Sequence, residues 1–282
     1  MNAARLFHYK NSPVSYHRFG QGTEILVAFH GYNQTSAEFL YFEDVLSEQF
    51  TIIAIDFFWH GQSEWRESED FTEYDMKMIV MGIKRQEHIE ASRFSVCSFS
   101  MGARMARALV RSFPSHINYF ILLSPPTFAF NRFLNFTTNN PIGLWTFRYF
   151  VRNNQSLMNW VKRLNKAGVL NRSVYIFTSK FIGKPDRLEK VFKTWFAQRK
   201  LTTNFDSFAR LLNEHKIRTI LIAGGEDTIT PPKRMITYIQ NLKLGQVFLI
   251  SAKHELATVA AKQILAELFQ KQNGPAKEKP SL

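Results

Sequence analysis

The sequence predicts an α/β fold, a mostly parallel sheet with helices on both faces. The main observation is an alternation along the chain of short apolar segments rich in β-branched residues with segments whose apolar residues recur at helical spacing. The alternation stops in a long middle segment and then resumes. Hydrophobic residues make up 45% and charged residues 21% of the 282 residues, which is typical of a globular chain able to bury a large core.

Each element follows from its own pattern. The predicted strands are short and apolar: 24–30, 50–57, 93–97, 117–124, 219–227 (which runs into a loop) and 246–250. The predicted helices have apolar residues at helical spacing: 35–49, 71–89, 101–111, 231–242 and 255–272. Because helices separate the strands, the strands are expected to run parallel.

The middle segment does not alternate. It is rich in Phe, Trp, Arg, Lys and Asn, and stretches such as LWTFRYFVRNN have helical spacing. Its place between two core strands predicts a helical insertion over one edge of the sheet. We therefore expect a core of residues 1–125 and 216–272, a helical cap of residues 126–215 and a disordered polar tail of residues 273–282.

The positive charge is concentrated in the middle of the chain. The net charge is +13, and residues 127–218 hold 17 Lys and Arg against 4 Asp and Glu, so the remainder is neutral. A solvated helix face, an anionic substrate and an anionic membrane surface would each suit this excess. Nucleic-acid binding is not expected, since no recognised module accompanies the charge.

The sequence also argues against a disulfide-bonded, a metal-binding, a secreted or a membrane-spanning protein. The single Cys97 cannot form an intrachain disulfide, and Cys and His do not cluster at metal-ligand spacing. No apolar run reaches the length of a signal peptide or of a membrane span. We expect a cytoplasmic protein that needs neither a metal nor a cofactor.

The stretch FSVCSFSMGARMA changes from a strand pattern to a helix pattern at Ser100. A sharp strand-to-helix turn exposes a side chain beside the free N–H groups of the new helix, an arrangement that suits a nucleophile. The small residues Ser98 and Gly102 would let the strand and the helix approach closely. The alternative is a serine that only caps the helix.

This stretch resembles the nucleophile elbow G-x-S-x-G of the α/β-hydrolase superfamily, with Ser98 in place of the first glycine. The resemblance covers about residues 14–270 and implies the chain order nucleophile, acid, histidine. Asp227 follows a late strand in a loop similar to G-x-x-D-x-x-x-P, and His254 follows the last strand at the expected start of the closing helix. The resemblance implies Ser100 as nucleophile, His254 as base and Asp227 as the orienting acid.

The same resemblance implies an oxyanion hole. The residue after the nucleophile, Met101, would donate one backbone N–H, and Tyr32 in the HG-x motif after an early strand would donate the other. The segment DFFWHGQSEW resembles the D-x-x-G-x-G-x-S loop of the family and is interpreted as structural. Asp56, in this segment, is not expected to be a nucleophile, because Ser100 occupies the elbow.

The substrate contacts are the least constrained part of the prediction. His30, Phe99, Arg104, Trp145 and Arg148 are the candidates. Arg104, in SMGAR, resembles the S-x-G-G-R pattern of the menaquinone-pathway lyases of the superfamily, where the arginine lies near an anionic substrate and the triad abstracts a proton.

The resulting prediction is a serine hydrolase that cleaves a carboxylic ester or related acyl bond of a small, possibly anionic substrate. The alternatives are a lyase with the same triad, a lipid-directed esterase or lysophospholipase whose basic cap contacts a membrane surface, and a non-catalytic ligand-binding hydrolase fold. The sequence does not determine the natural substrate, the acyl chain length or the oligomeric state.

Overall fold

A computed structural model describes residues 3–126, 128–168, 175–176, 178–179, 185–255 and 257–270. Within these ranges, eight strands form one sheet in the order β1-β2-β4-β3-β5-β6-β7-β8. The strands are β1 (Arg5–Tyr9), β2 (Ser12–Phe19), β3 (Glu24–Phe29), β4 (Phe50–Ile55), β5 (Phe94–Phe99), β6 (Ile117–Leu123), β7 (Arg218–Gly224) and β8 (Gly245–Ile250). The predicted tail, residues 273–282, lies outside the described residues.

The sheet is parallel from β4 through β8 and antiparallel at one edge, where β1 and β2 join it as a hairpin. The predicted α/β fold class is therefore confirmed, whereas the edge hairpin was not predicted. Every residue of β4 and β5 is buried. Strands that are covered on both faces read as continuous apolar runs, and for this reason the central strands are visible in the sequence.

Helices cover both faces of the sheet. They are α1 (Glu43–Leu46), α2 (Glu73–Gln86), α3 (Ala103–Ser112), α4 (Phe128–Asn139), α5 (Pro141–Arg152), α6 (Asn154–Lys166), α7 (Pro185–Ala197), α8 (Phe205–Glu214), α9 (Lys233–Gln240) and α10 (Val259–Phe269). One core cluster packs α2, α3, α8 and α9 against one face of the sheet, and a second packs α1 and α10 against the other. No helix in the described ranges is both long and apolar enough to cross a bilayer.

Several helices differ in extent from the predictions. The predicted helix 35–49 is a 3-10 segment, Ser36–Phe42, followed by the single turn α1. The closing helix α10 begins at Val259 rather than at residue 255, with the Thr258 hydroxyl accepting the Ala261 N–H. Residues 251–255 are therefore free to form a loop at the edge where β8 ends.

The inserted helices α4–α7 form their own apolar cluster, which contains Leu134, Phe147, Leu188, Val191 and Trp195. Tyr32 and Ile229 of the core pack against this cluster, so α4–α7 lie over the ends of β3 and β7.

Helix α8, which precedes β7, packs against the sheet and not with the inserted helices α4–α7. Its residues Phe208 and Leu212 are buried in the main core cluster with Phe120 of β6. The predicted cap of residues 126–215 therefore extends too far, because α8 covers the sheet as a helix between two parallel strands must.

Gly102 shows why the strand-to-helix turn needs a small residue. A Cβ atom on Gly102 would lie 2.2 Å from the Phe29 carbonyl oxygen and 2.7 Å from that of His30. These atoms belong to the backbone of β3 and its loop, so neither can move without shifting the sheet. The beginning of the helix thus packs directly on the neighbouring strand.

We expect Gly102→Ala to lower the free energy of unfolding by about 2–4 kcal/mol, because the added methyl group overlaps a buried backbone. Urea denaturation measures the loss. Gly225→Ala is the matched control, since its Cβ would meet no atom closer than 3.6 Å. Equal stability of the two variants would contradict the close packing.

Candidate active site

Ser100 is the first residue after β5 and begins the short 3-10 turn Ser100–Gly102 that leads into α3. Its φ of 47° lies in the left-handed region, where a non-glycine residue is strained by about 1–3 kcal/mol. Ser98 is not among the described residues with positive φ, so a serine there replaces glycine without backbone strain. Strain at the one residue whose side chain must be exposed is typical of a functional turn.

Ser100, His254 and Asp227 are joined by two hydrogen bonds. Ser100 Oγ lies 2.8 Å from His254 Nε2, and His254 Nδ1 lies 2.6 Å from Asp227 Oδ2. The first distance is short enough for His254 to accept the Ser100 proton, and the second lets the Asp227 carboxylate orient the imidazole. His254 lies in the loop between β8 and α10, not at the predicted start of the helix. The ring of Phe99 packs on the imidazole with centroids 5.0 Å apart.

Asp227 is held in place by its own loop. Its Oδ1 atom accepts the backbone N–H groups of Ile229 and Thr230, both at 2.8 Å, and its Oδ2 atom accepts the Thr230 hydroxyl at 2.7 Å. Burial acts to raise the pKa of Asp227, but the hydrogen bonds from His254 and Thr230 outweigh burial and lower it. The carboxylate is therefore charged at neutral pH.

Thr230 is a site residue that the sequence analysis missed. Its hydroxyl also lies 3.1 Å from His254 Nδ1, so it contacts both partners of this hydrogen bond. An aspartate followed by a threonine three positions later is the common pattern of a side chain that caps its own turn, and D-T-I-T carries it. That pattern could have identified Thr230.

The loop after β3 carries His30, Gly31 and Tyr32 beside the serine turn. The predicted substrate contact of His30 is wrong: the side chain is fully buried. Its Nδ1 atom lies 2.7 Å from the Gly31 carbonyl, and its Nε2 atom accepts the Phe57 N–H at 3.1 Å. With both ring nitrogens bonded to backbone, His30 shapes the loop and has no donor or acceptor left for a substrate.

His60 ties the loop after β4 to the loop after β3. Its Nε2 atom accepts the Asn33 N–H at 3.1 Å, and its Nδ1 atom lies 3.2 Å from the Phe58 carbonyl. The ring packs edge-on against Tyr32 with centroids 5.8 Å apart. The segment DFFWHGQSEW, interpreted as structural, thus supports the loop that carries Tyr32.

Asp56, at the start of this segment, is fully committed to backbone and side-chain donors. Its Oδ1 atom accepts the Ser36 N–H at 2.6 Å and its Oδ2 atom accepts the Ser15 hydroxyl at 2.5 Å. Gly61, with a φ of 54°, approaches so closely that a Cβ atom there would lie 2.1 Å from Asp56 Oδ2. Asp56 is therefore a structural residue beneath the site.

The burial of His60 leads us to expect that the free energy of unfolding falls at acid pH. Burial, together with the nearby His30 and Lys190, lowers the pKa of His60 from 6.5 to about 3. Below pH 6.5 the unfolded chain takes up the proton before the folded chain does, so stability falls as the pH falls. We expect a loss of about 2–3 kcal/mol between pH 7 and pH 4.5, measured by urea denaturation. His60→Gln should flatten this slope, and an unchanged slope would assign the loss to other groups.

Of the remaining predicted substrate contacts, Arg104 is buried, whereas Trp145 and Arg148 are exposed. Arg104 is 3% exposed, and its guanidinium donates to the Gln198 carbonyl at 3.1 Å and to Asn135 Oδ1 at 2.8 Å. Trp145 is 69% exposed and stacks on Tyr149, and Arg148 is exposed beside it. The predictions for Trp145 and Arg148 are wrong because α5 turns Gly143 and Phe147 inward and these two side chains outward.

Phe99 is the only one of the five candidates that touches the row of hydrogen bonds. It is 4% exposed and lies between the His254 ring and Gly31, where a Cβ atom would come within 2.7 Å of the Phe99 ring. Phe99 therefore supports the imidazole from below.

The fold and the hydrogen-bonded row of serine, histidine and aspartate at the ends of three parallel strands define an α/β hydrolase. Residues 24–257 match the family profile described as alpha/beta hydrolase fold. The chain belongs to this family.

Similar proteins extend over most of the chain. A curated relative, the uncharacterised hydrolase YugF of Bacillus subtilis (strain 168), is 24% identical over 243 residues, which cover 79% of this chain and 77% of the relative.

Three solved structures share the fold. MGS-M2, an alpha/beta hydrolase from a Medee basin deep-sea metagenome library, is 15% identical with a TM-score of 0.63, covering 98% of this chain and 100% of that one. A thermophilic esterase from Thermogutta terrifontis is 15% identical with a TM-score of 0.62, covering 96% and 98%. The esterase RhEst1 from Rhodococcus sp. ECU1013 is 14% identical with a TM-score of 0.58, again covering 96% and 98%.

Proposed function

We propose that the protein is a serine hydrolase that cleaves a carboxylic ester or a related acyl bond through an acyl-serine intermediate. The observation that carries the proposal is the continuous row from Ser100 Oγ through His254 to Asp227, with bonds of 2.8 and 2.6 Å. A serine hydroxyl is a weak nucleophile until an adjacent base accepts its proton. His254 is within reach to do so.

The proposed reaction has two halves. In the first, Ser100 Oγ attacks the acyl carbon while His254 Nε2 takes the hydroxyl proton, and His254 then gives that proton to the departing alcohol. In the second, a water molecule gives a proton to His254 and attacks the acyl-serine. His254 then passes that proton to Ser100 Oγ as the acid leaves, which restores both residues. The buried carboxylate of Asp227 holds the imidazole in the required tautomer and stabilises its cation.

The oxyanion of each tetrahedral intermediate needs two donors. We assign them to the backbone N–H groups of Met101 and Tyr32. Met101 follows Ser100 in the 3-10 turn that opens α3. Tyr32 lies in the loop that His30 and His60 hold by backbone hydrogen bonds. Such preorganisation is what makes an oxyanion hole effective.

The test is a panel of acyl esters and thioesters of graded length and charge, given to the wild-type enzyme. Rapid acid quench followed by intact mass spectrometry should show one added acyl group, located on Ser100 by peptide mapping. Turnover without a Ser100 adduct under any quench time would contradict the acyl-serine route. If no panel member reacts, proton abstraction by the same residues becomes the favoured chemistry.

A second candidate function is hydrolysis at an anionic lipid surface. The exposed face of α5 carries Ile142, Trp145 and Tyr149, which are 71%, 69% and 45% exposed, with Arg148 and Arg152 among them. Aromatic side chains beside basic ones on one helix face suit the interface of an anionic membrane. The +13 excess of the segment 127–218 has the matching sign.

Vesicle flotation separates this candidate from a hydrolase acting only on dissolved substrates. The wild-type protein should float with vesicles of phosphatidylcholine and phosphatidylserine but not with phosphatidylcholine alone. Trp145→Ser with Tyr149→Ser should reduce flotation, whereas Tyr74→Ser, an equally exposed aromatic on α2, should not. Absence of flotation with anionic vesicles would remove the lipid-directed candidate and leave the acyl hydrolase in place.

A further inference from the structure

The helix that follows the nucleophile buries two arginines. Arg104 is 3% and Arg107 is 2% exposed, and both lie on the face of α3 that meets the inserted helices. Each donates to an asparagine of α4: Arg104 Nη2 to Asn135 Oδ1 at 2.8 Å, and Arg107 Nη2 to Asn131 Oδ1 at 3.2 Å. These partners are neutral amides, so they satisfy N–H groups without balancing the charge.

Neither guanidinium pairs with a carboxylate of the described residues. Among the residues whose side chains the structure describes, no carboxylate lies within ion-pair distance of Arg104 or Arg107, whereas the next arginine on this face, Arg111, pairs with Glu73. Burial and the neighbouring arginine charges lower the pKa of Arg107 to about 9, still above neutrality. Two adjacent buried cations without an anion are costly, and proteins normally pair them.

Further buried polar atoms without partners belong to Arg107 itself and to two residues at the end of α7. Within the described part of the chain, Nε and Nη1 of Arg107, the hydroxyl of Thr194 and both amide atoms of Gln198 are buried without a hydrogen bond. Thr194 lies in the last turn of α7 and Gln198 directly follows the helix. Both side chains are 0% exposed, and the Gln198 carbonyl accepts the Arg104 Nε–H at 3.1 Å. Buried polar atoms without partners require an explanation, and a bound water or ion is one that satisfies them.

We propose that an oxyanion, a carboxylate or a phosphate group, binds between α3 and the inserted helices α4 and α7, where Arg107 and Arg104 supply the charge and Thr194 and Gln198 supply further donors. The site lies beside the serine turn. At 1.5 Å of rise per residue, the Cα atoms of Arg104 and Arg107 are about 6 and about 10 Å along the helix from Ser100. The anion is therefore either a free ion or the acid group of an acyl substrate, and the latter source rests on the proposed function.

The first experiment needs no activity. The melting temperature of the desalted protein is measured in inorganic phosphate and in acetate, each against sodium chloride of equal ionic strength. We expect the wild type to gain about 5 °C or more at a phosphate concentration 100-fold above the dissociation constant. Arg107→Met should abolish this gain, and Arg132→Met, which removes an exposed arginine from α4, should keep it.

Two results of the melting experiment would overturn the proposal. If the site holds only water, phosphate and chloride stabilise the wild type equally, and the proposal is overturned. It is also overturned if Arg107→Met keeps the phosphate gain. Should Arg107→Met fail to fold, Thr194→Val removes an unpartnered hydroxyl without removing charge. A weaker phosphate gain in Thr194→Val supports the site, and an unchanged gain in this variant contradicts the assigned donors.

The second experiment separates the two sources of the anion. Monoethyl esters of dicarboxylic acids are compared with neutral ethyl esters of equal chain length. If the substrate supplies the anion, wild type should favour the acidic ester at least tenfold in kcat/KM, and Arg107→Met should lose that ratio. A phosphate gain in melting temperature without any ester preference identifies a free ion. Failure of all esters with the phosphate gain intact would count against the proposed function and not against the site.

Discussion

Ser100→Ala is expected to abolish ester turnover while leaving the fold intact. Removing the hydroxyl deletes the atom that attacks the acyl carbon, and in enzymes with the same arrangement such variants lose about 10⁶-fold in kcat. The side chain of Ser100 bonds only to His254 among the described residues, so its loss leaves the packing unchanged. Steady-state hydrolysis of a short activated ester measures the first effect and thermal melting measures the second.

Ser100→Gly separates catalysis from backbone strain. The φ of 47° at this residue strains any side chain that has a β-carbon, whereas glycine adopts it without strain. The glycine variant should therefore be as inactive as the alanine variant. Its free energy of unfolding should exceed that of the alanine variant by about 1 kcal/mol. Ester turnover at the wild-type rate in either variant would remove Ser100 as the nucleophile.

The second large effect is expected from Asp227→Asn, which should lower kcat by about 10,000-fold. The carboxylate accepts a hydrogen bond from His254 Nδ1, which leaves Nε2 unprotonated and free to take the Ser100 proton. An amide nitrogen in the same place would donate to Nδ1 and hold the imidazole in the opposite tautomer. Pre-steady-state kinetics should show that acylation, rather than substrate binding, is slowed.

Glu226→Gln is the matched control for Asp227→Asn. The neighbouring Glu226 is exposed, and its carboxylate accepts only the Ser251 hydroxyl at 3.1 Å among the described residues. It should keep the wild-type kcat. If Glu226→Gln lost most of its kcat while Asp227→Asn stayed active, Glu226 and not Asp227 would orient His254. That result would overturn the assignment.

The parts of the site that could be predicted are those carried by local patterns. Ser100 is marked by the change of period at the strand-to-helix turn. The resemblance to the α/β-hydrolase superfamily implies Asp227 and His254 from their places after late strands. The pattern could not reveal which side of a helix faces the site. For that reason Trp145 and Arg148 were assigned to the substrate, although α5 turns them to the outside.

The polar support of the site was also beyond a local pattern. His30 was predicted to contact substrate, but its two nitrogens bind backbone groups of two different loops. Thr230 was missed although it lies three residues from Asp227. Such roles depend on which buried donors find acceptors after the chain has folded, because most buried polar groups in a native structure are paired.

The sequence alone predicted the α/β alternation and the parallel direction of the central strands, because strand and helix periods are local properties. Its resemblance to the α/β-hydrolase superfamily implied the residues 100, 227 and 254. Only the tertiary structure decided that α8 belongs to the core and that Arg104 is buried against α4 and the end of α7. It also showed that Arg107 has no carboxylate partner among the described residues. These facts depend on burial and on contacts between distant segments. Burial and long-range contacts set the free energies of desolvation and of ion pairing, so a local stretch of sequence does not predict them.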